Sequence, residues 1–154
     1  MTTYVDTNAL VQIYLHRPGE AAAMNFIRAG AAHEAPSCPV SDLLRFEFSN
    51  AVERMVFESR NGSGQRITPE WALLANGDFE ADLAAGVRLR RIPLTLTDIE
   101  REFDSLVRRH TATHGFRTYD IIHVASALKL KCRRFLSFDA KANTLARLAG
   151  LNTL

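Results

Sequence analysis

The chain has little sulfur, no long apolar run and almost no net charge, and each lack removes a class of protein. Two cysteines, Cys38 and Cys132, cannot build a disulfide framework in 154 residues. Both lie in apolar stretches and are expected to be small core residues. No apolar run approaches the roughly 20 residues a membrane helix requires, and no signal peptide is visible. The expectation is a soluble protein of a reducing cytoplasm, with no membrane contact. There is no glycine-rich phosphate loop, no zinc-type Cys/His set and no Ser-His-Asp arrangement. Internal repeats and linkers are absent too. What is present is an ordinary globular balance, 47% hydrophobic and 23% charged, in a length that suits one domain spanning 1–154. The net charge of +2 is mild. If acids are gathered in one place, however, the remaining surface is more basic than that total.

Short apolar pieces alternate with helical patterns, which predicts an α/β fold with a parallel sheet of four to five strands flanked by helices. Tyr4-Val5 is the first strand. Helices over Asn8–Leu15 and Glu20–Ala29 follow, broken at Arg17-Pro18-Gly19. A second strand is expected over Pro36–Val40, weakened by two prolines. Ser41 caps a helix running to about Glu58, and Ser59–Gln65 reads as a flexible connection. Thr68-Pro69-Glu70 starts the next helix. Arg91-Ile92-Pro93-Leu94 reads as a third strand. Thr97 with Glu100 reads as the capping box of a helix ending near Gly115. A helix over Asp120–Leu130, a strand over Phe135–Phe138, a helix over Lys141–Ala149 closed by Gly150, and a short edge strand in Leu151–Leu154 complete the pattern.

Four acids stand out against this frame. Asp6 and Asp139 directly follow apolar strands, and in open parallel sheets ligands gather beyond the carboxyl ends of strands. Either could equally be a helix N-cap. Glu47 has Leu43, Leu44, Asn50 and Ala51 as helical neighbours, a largely apolar face on which an unpaired carboxylate is costly. It needs a cation, either a metal or a buried arginine. Asp120 opens a helix, with Arg117 three residues before it as a possible partner. His123, one turn further on, invites a metal or acid–base role, although an imidazole beside an apolar helix face is more often a hydrogen-bonded core residue. Asn8 and Ser137 are short polar groups next to the acids, suited to orienting a carboxylate or a bound water. Asp98 and Glu100 read as helix-start acids, and Asp78, Glu80, Asp82, Glu102 and Asp104 as solvated faces. Clustered carboxylates repel and buried ones resist ionising, so a fold keeps such a set mainly to hold a divalent cation.

Four segments together resemble the PIN domain, and within it the VapC-type ribonuclease toxins. They are VDTNAL, the helix carrying Glu47, RTYDIIHVASAL and FLSFDAKANTLARLAGL, and they span nearly the whole chain in order. The resemblance implies helices around a parallel sheet and an acidic site formed by Asp6, Glu47, Asp120 and Asp139, supported by Asn8 and Ser137. It further implies an inhibitory antitoxin partner and a homodimer, or a larger toxin–antitoxin oligomer.

The expected activity is Mg²⁺- or Mn²⁺-dependent hydrolysis of RNA phosphodiester bonds, with Arg45, Arg54, Arg117 and Lys141 as candidates for holding the RNA backbone. Three alternatives remain. One is an RNA-processing nuclease of the same kind that is not a toxin. Another is a metal-dependent phosphatase, which would need a second Asp where Asn8 stands. The third is a non-catalytic RNA-binding module, for which four acids serve no purpose.

Overall fold

The computed structural model describes residues 2–30, 37–62 and 66–154. Strand β1 (Thr3–Val5) runs into α1 (Thr7–Tyr14) and α2 (Glu20–Gly30). Next come β2 (Cys38–Val40), the long α3 (Asp42–Arg60), α4 (Pro69–Ala85) and β3 (Leu89–Arg91). A tight turn at Thr97–Ile99 leads into α5 (Glu100–Leu106), which continues through a widened turn at Val107–Thr111 into α6 (Ala112–His114). Then follow α7 (Thr118–Lys129), β4 (Arg134–Leu136), α8 (Ala140–Leu148) and β5 (Asn152–Thr153).

Strands β1, β4 and β5 form a parallel sheet in that order, with Tyr4 opposite Phe135. Strands β2 and β3 form a parallel pair, and β2 packs beside β1. The predicted α/β architecture is therefore present, with its sheet hydrogen-bonded as a three-strand and a two-strand set. Every residue of β1 is buried, as expected of a strand covered on both faces. Because β1 and β4 end side by side, Asp6 N–H still reaches the Leu136 carbonyl at 2.9 Å, and the two following turns open at one edge.

Several boundaries differ from the sequence reading. The third strand lies at Leu89–Arg91 rather than 91–94, because Pro93 has no N–H to donate and the last ladder bond runs from Ile92 N–H to Val40 O. Of the second strand, Cys38–Val40 is observed, while Pro36 lies outside the described residues, as does the 63–65 part of the expected flexible connection. The predicted capping box falls elsewhere: Asp98 accepts from Thr95 N–H at 2.8 Å and returns its own N–H to Thr95 Oγ1 at 3.3 Å. Strand β4 stops at Leu136, which places Ser137 in the connection to α8.

The core has two aromatic centres. Phe48 of α3 stacks on Phe79 of α4 with ring centres 4.3 Å apart, and Tyr14 of α1 meets both edge-on at 5.5 and 5.4 Å. The Tyr14 hydroxyl donates to Asp82 at 2.6 Å, so Asp82 is a mostly covered acceptor rather than the solvated acid expected. Under the sheet end, Tyr4 stacks on Phe135. Cys38 and Cys132 are buried, and burial pushes their thiols up to about 12 and about 11, which keeps them protonated and inert at neutral pH. Among the described residues no helix is long and apolar enough to cross a membrane.

Candidate active site

The site begins at the junction of β1 and α1. Asp6 has extended backbone angles and caps α1, its Oδ1 accepting from Thr7 N–H at 2.6 Å. Its second oxygen accepts from the Ser137 hydroxyl at 2.8 Å and the Asn8 amide at 2.9 Å. Asn8 Oδ1 in turn accepts from Phe138 N–H at 2.8 Å, so the polar pair expected to orient an acid also ties the end of β1 to the end of β4. Asp6 is only 6% exposed. Burial raises its carboxyl above the ordinary range, against the opposing pull of His123 and the hydrogen bonds from Ser137 and Thr7.

Helix α3 brings Glu47 to the same edge. Its Oε2 lies 2.6 Å from His123 Nε2 and accepts from Thr7 Oγ1 at 3.2 Å. His123, from α7, also stands 3.6 Å from Asp6 Oδ1, and its other nitrogen is 3.0 Å from the Tyr4 hydroxyl. Burial by itself would lower the imidazole, but the hydrogen bond to Glu47 and the charges of Asp6, Glu47 and Asp120 outweigh it and raise it. The ring is thus held between two carboxylates that favour its protonated form. The basic side chain that meets Glu47 is a histidine, where an arginine was the expected alternative to a metal.

A second acidic pair sits where α7 and α8 begin. Asp120, buried in the first turn of α7, receives a two-pronged contact from Arg117, Nε at 3.0 Å and Nη2 at 3.2 Å. The same Nη2 reaches Asp139 Oδ2 at 2.8 Å. Asp139 caps α8, accepting on Oδ1 from the N–H groups of Lys141 and Ala142 at 2.7 and 3.0 Å. Burial would raise its carboxyl, but those two N–H groups and Arg117 hold it below the ordinary range.

Residues 3–150 match the model of the PIN domain. The chain belongs to the PIN domain family. Two solved structures share the fold. One is VapBC2 from Rickettsia felis bound to a DNA fragment from their promoter: TM-score 0.64, 14% identity, 100% of this chain and 98% of that chain covered. The other is Mycobacterium tuberculosis VapC20, a Sarcin-Ricin loop cleaving toxin: TM-score 0.60, 17% identity, 93% and 94% covered. No curated protein matches the chain in sequence.

In this PIN domain the four acids line one cleft of about 600 Å³, together with Thr7, Asn8, His123 and Arg117. They stand as two pairs, Asp6 with Glu47 and Asp120 with Asp139, the first bridged by His123 and the second by Arg117. Among the described residues no three Asp, Glu, His or Cys side chains close around one point as a metal cage. The donor chemistry nevertheless fits a hard divalent ion. All four acids offer oxygen, and Mg²⁺ needs only one or two carboxylates because it keeps several waters.

Of the arginines and lysine expected to touch RNA, Arg54 and Arg117 line the cleft. Arg45 is paired with Glu80 at 2.7 Å, and the Lys141 ammonium reaches the Gly115 carbonyl at 3.4 Å; neither lines this cleft. Sequence reasoning passed over Thr7, Gln12, Arg17 and Tyr119, which also line it. Thr7 sits inside the VDTNAL segment and Tyr119 inside RTYDIIHVASAL, so both were within reach; nothing in the linear pattern marks Gln12 or Arg17.

Proposed function

We propose that this PIN domain is a Mg²⁺- or Mn²⁺-dependent endoribonuclease, acting as the toxin of a toxin–antitoxin pair. The observation that carries the reading is the set of four carboxylates delivered by four separate segments to one cleft, where each pair retains a basic side chain as partner. Asp6, Glu47, Asp120 and Asp139 would hold the ion. Ser137, Asn8 and Thr7 fix the Asp6 and Glu47 carboxylates by hydrogen bonds, which removes the reorganisation otherwise needed on binding. Such an ion lowers the pKa of a bound water and neutralises charge growing on phosphorus. Arg54 and Arg117 at the cleft are placed to hold RNA phosphates, positioning the strand without reading its sequence.

The phosphatase alternative fails at one residue. Asn8 commits both ends of its amide, donating to Asp6 and Ser137 and accepting from Phe138 N–H, and it has no carboxyl proton to give a leaving group. The fold shared with VapBC2 and with the RNA-cleaving toxin VapC20 supports the toxin assignment. With it come a cognate antitoxin, presenting a basic side chain near Asp6 and Asp120, and a homodimeric toxin. A PIN nuclease that processes RNA without being a toxin is the second reading, since the same cleft serves both.

The test is hydrolysis by the purified chain. Single-stranded or loop RNA should be cut with Mg²⁺ or Mn²⁺, spared in EDTA, and cut less as salt rises. A chain that hydrolyses phosphomonoesters but never RNA overturns the assignment. Slowed growth on expression, relieved by co-expressing the neighbouring gene, separates toxin from processing enzyme.

A further inference from the structure

The cleft holds a third arginine whose placement the acidic site does not explain. Arg17 belongs to the turn between α1 and α2, and this turn is held in place by several contacts. Arg17 N–H donates to the Gln12 carbonyl at 2.9 Å, and Glu20 N–H closes on the Arg17 carbonyl at 2.9 Å. The Gln12 side chain accepts from Gly19 N–H at 3.0 Å. Gly19 lies so close to its neighbours that an added Cβ would meet Gln12 Oε1 at 2.8 Å and Phe138 Cζ at 2.9 Å. Just before Arg17, His16 takes a left-handed backbone, φ 46°, a conformation side-chain-bearing residues rarely adopt. The turn accepts that strain and, through it, delivers Arg17 to the cleft.

The other two arginines of the cleft are neutralised by carboxylates: Arg54 by Glu58, Arg117 by Asp120 and Asp139. Arg17 has no carboxylate within ion-pair distance among the described residues. Its Nη1 points at the thioether of Met55, a weak acceptor, at 3.4 Å, and its Nε is buried with no hydrogen-bond partner. A guanidinium left with a covered, unmade hydrogen bond is expensive, and folds supply acceptors for such groups as a rule. Here five carboxylates, Glu58 of α3 among them, line the same cleft, and none lies within ion-pair distance of Arg17. An acceptor from outside, anionic and rich in oxygen, resolves the deficit, and the planar fork of arginine suits phosphate.

We infer that Arg17 is a phosphate-binding residue for the RNA strand, gripping a backbone phosphate on the α1–α2 side of the cleft while the acids act on another. This rests on the nuclease reading of the same cleft. It assigns the side from which the strand enters: past Arg17, where the α1–α2 turn meets Met55 in the C-terminal half of α3 and Arg54 also lines the cleft. A protein partner's carboxylate would satisfy the same guanidinium. The nucleic acid is favoured because Arg17 shares its cleft with the metal-type acids, and a phosphodiester is the ligand that needs both.

The experiment measures binding of a fluorescein-labelled single-stranded RNA to the full chain in EDTA, by anisotropy across a salt series, for wild type, Arg17→Ala and Arg17→Lys. Arg17→Ala should weaken binding about tenfold, the scale of one charge-assisted contact. It should also reduce the slope of log affinity against log salt by about 0.7, the share of one phosphate on a single strand. Arg17→Lys should restore the slope while recovering only part of the affinity. The melting temperature of Arg17→Ala without RNA should hold or rise, because an unsatisfied charge has been removed. Wild-type affinity and slope in Arg17→Ala, with RNA still bound and cut by the parent chain, overturns this inference alone. So does weaker binding with an unchanged slope and a lowered melting temperature, which marks a structural role. So does unchanged RNA binding with loss of a co-purifying protein. A parent chain that neither binds nor cuts RNA overturns the nuclease reading and this inference together.

Discussion

Asp6→Asn and Glu47→Gln are each expected to cut RNA hydrolysis by roughly two to three orders of magnitude, the scale on which single groups that stabilise transition-state charge act, while the folded state survives. Asp6 and Glu47 form the more enclosed pair, locked by Ser137, Asn8 and Thr7. Neither change alters side-chain size. The stability effect follows from the direction of the Asp6 shift. Burial raises its carboxyl, so its contribution to stability is present in acid, below the unfolded value, and is lost as pH rises through the folded value. Above that folded value the site carries a charge that its burial disfavours. Removing that charge should leave the metal-free melting temperature unchanged or slightly higher. Kinetic assays beside thermal melts check both halves. Full activity in either variant removes that residue from the site.

Phe48→Ala is expected to be the most damaging single change to the fold. Its ring is fully buried, stacked on Phe79 and met edge-on by Tyr14, where α1, α3 and α4 come together. Truncating a buried Phe costs about 3–5 kcal/mol through lost transfer energy and the cavity left behind. In a chain of this length that lowers the melting temperature by on the order of 10 °C. The consequence reaches the cleft, because Phe48 anchors the helix that carries Glu47. RNA cleavage should therefore fall at temperatures well below the melt. Phe48→Leu, which refills much of the volume, should recover most of the stability. A shift of only about 2 °C in Phe48→Ala would mean the aromatic cluster does not hold α3 in place.

The acids were legible in the sequence because strand–helix alternation fixes where chain ends meet. Asp6 and Asp139 follow strands that prove to be neighbours, so both reach the same edge of the sheet. Their two readings, cap and ligand, are not exclusive. Each uses Oδ1 for a helix N–H and turns Oδ2 toward the site, Asp6 to Ser137 and Asp139 to Arg117. The Arg117–Asp120 pair was visible as a three-residue spacing on one helix. What one dimension hides is which distant group answers a lone charge. Glu47 called for a partner, and only the packing of α7 against β1 brings His123 to it, itself held by Tyr4. The cap was ambiguous for a simpler reason. Thr95 with Asp98 and Thr97 with Glu100 have the same spacing, and the chain uses the first. Arg17 was concealed by its setting, since Arg-Pro-Gly announces a turn and says nothing of where the side chain goes.

The central claim is that these acids bind a divalent ion, and calorimetric titration of Mn²⁺ into the metal-free chain tests it most directly. Wild type should show saturable binding and a rising melting temperature as the ion is added, since a ligand that binds only the folded state stabilises it, by about 2.7 kcal/mol at a hundredfold excess over Kd. Asp6→Asn should lose both the binding and the thermal response while remaining folded. Equal Mn²⁺ binding in wild type and Asp6→Asn, or none in wild type at millimolar ion, would contradict the account.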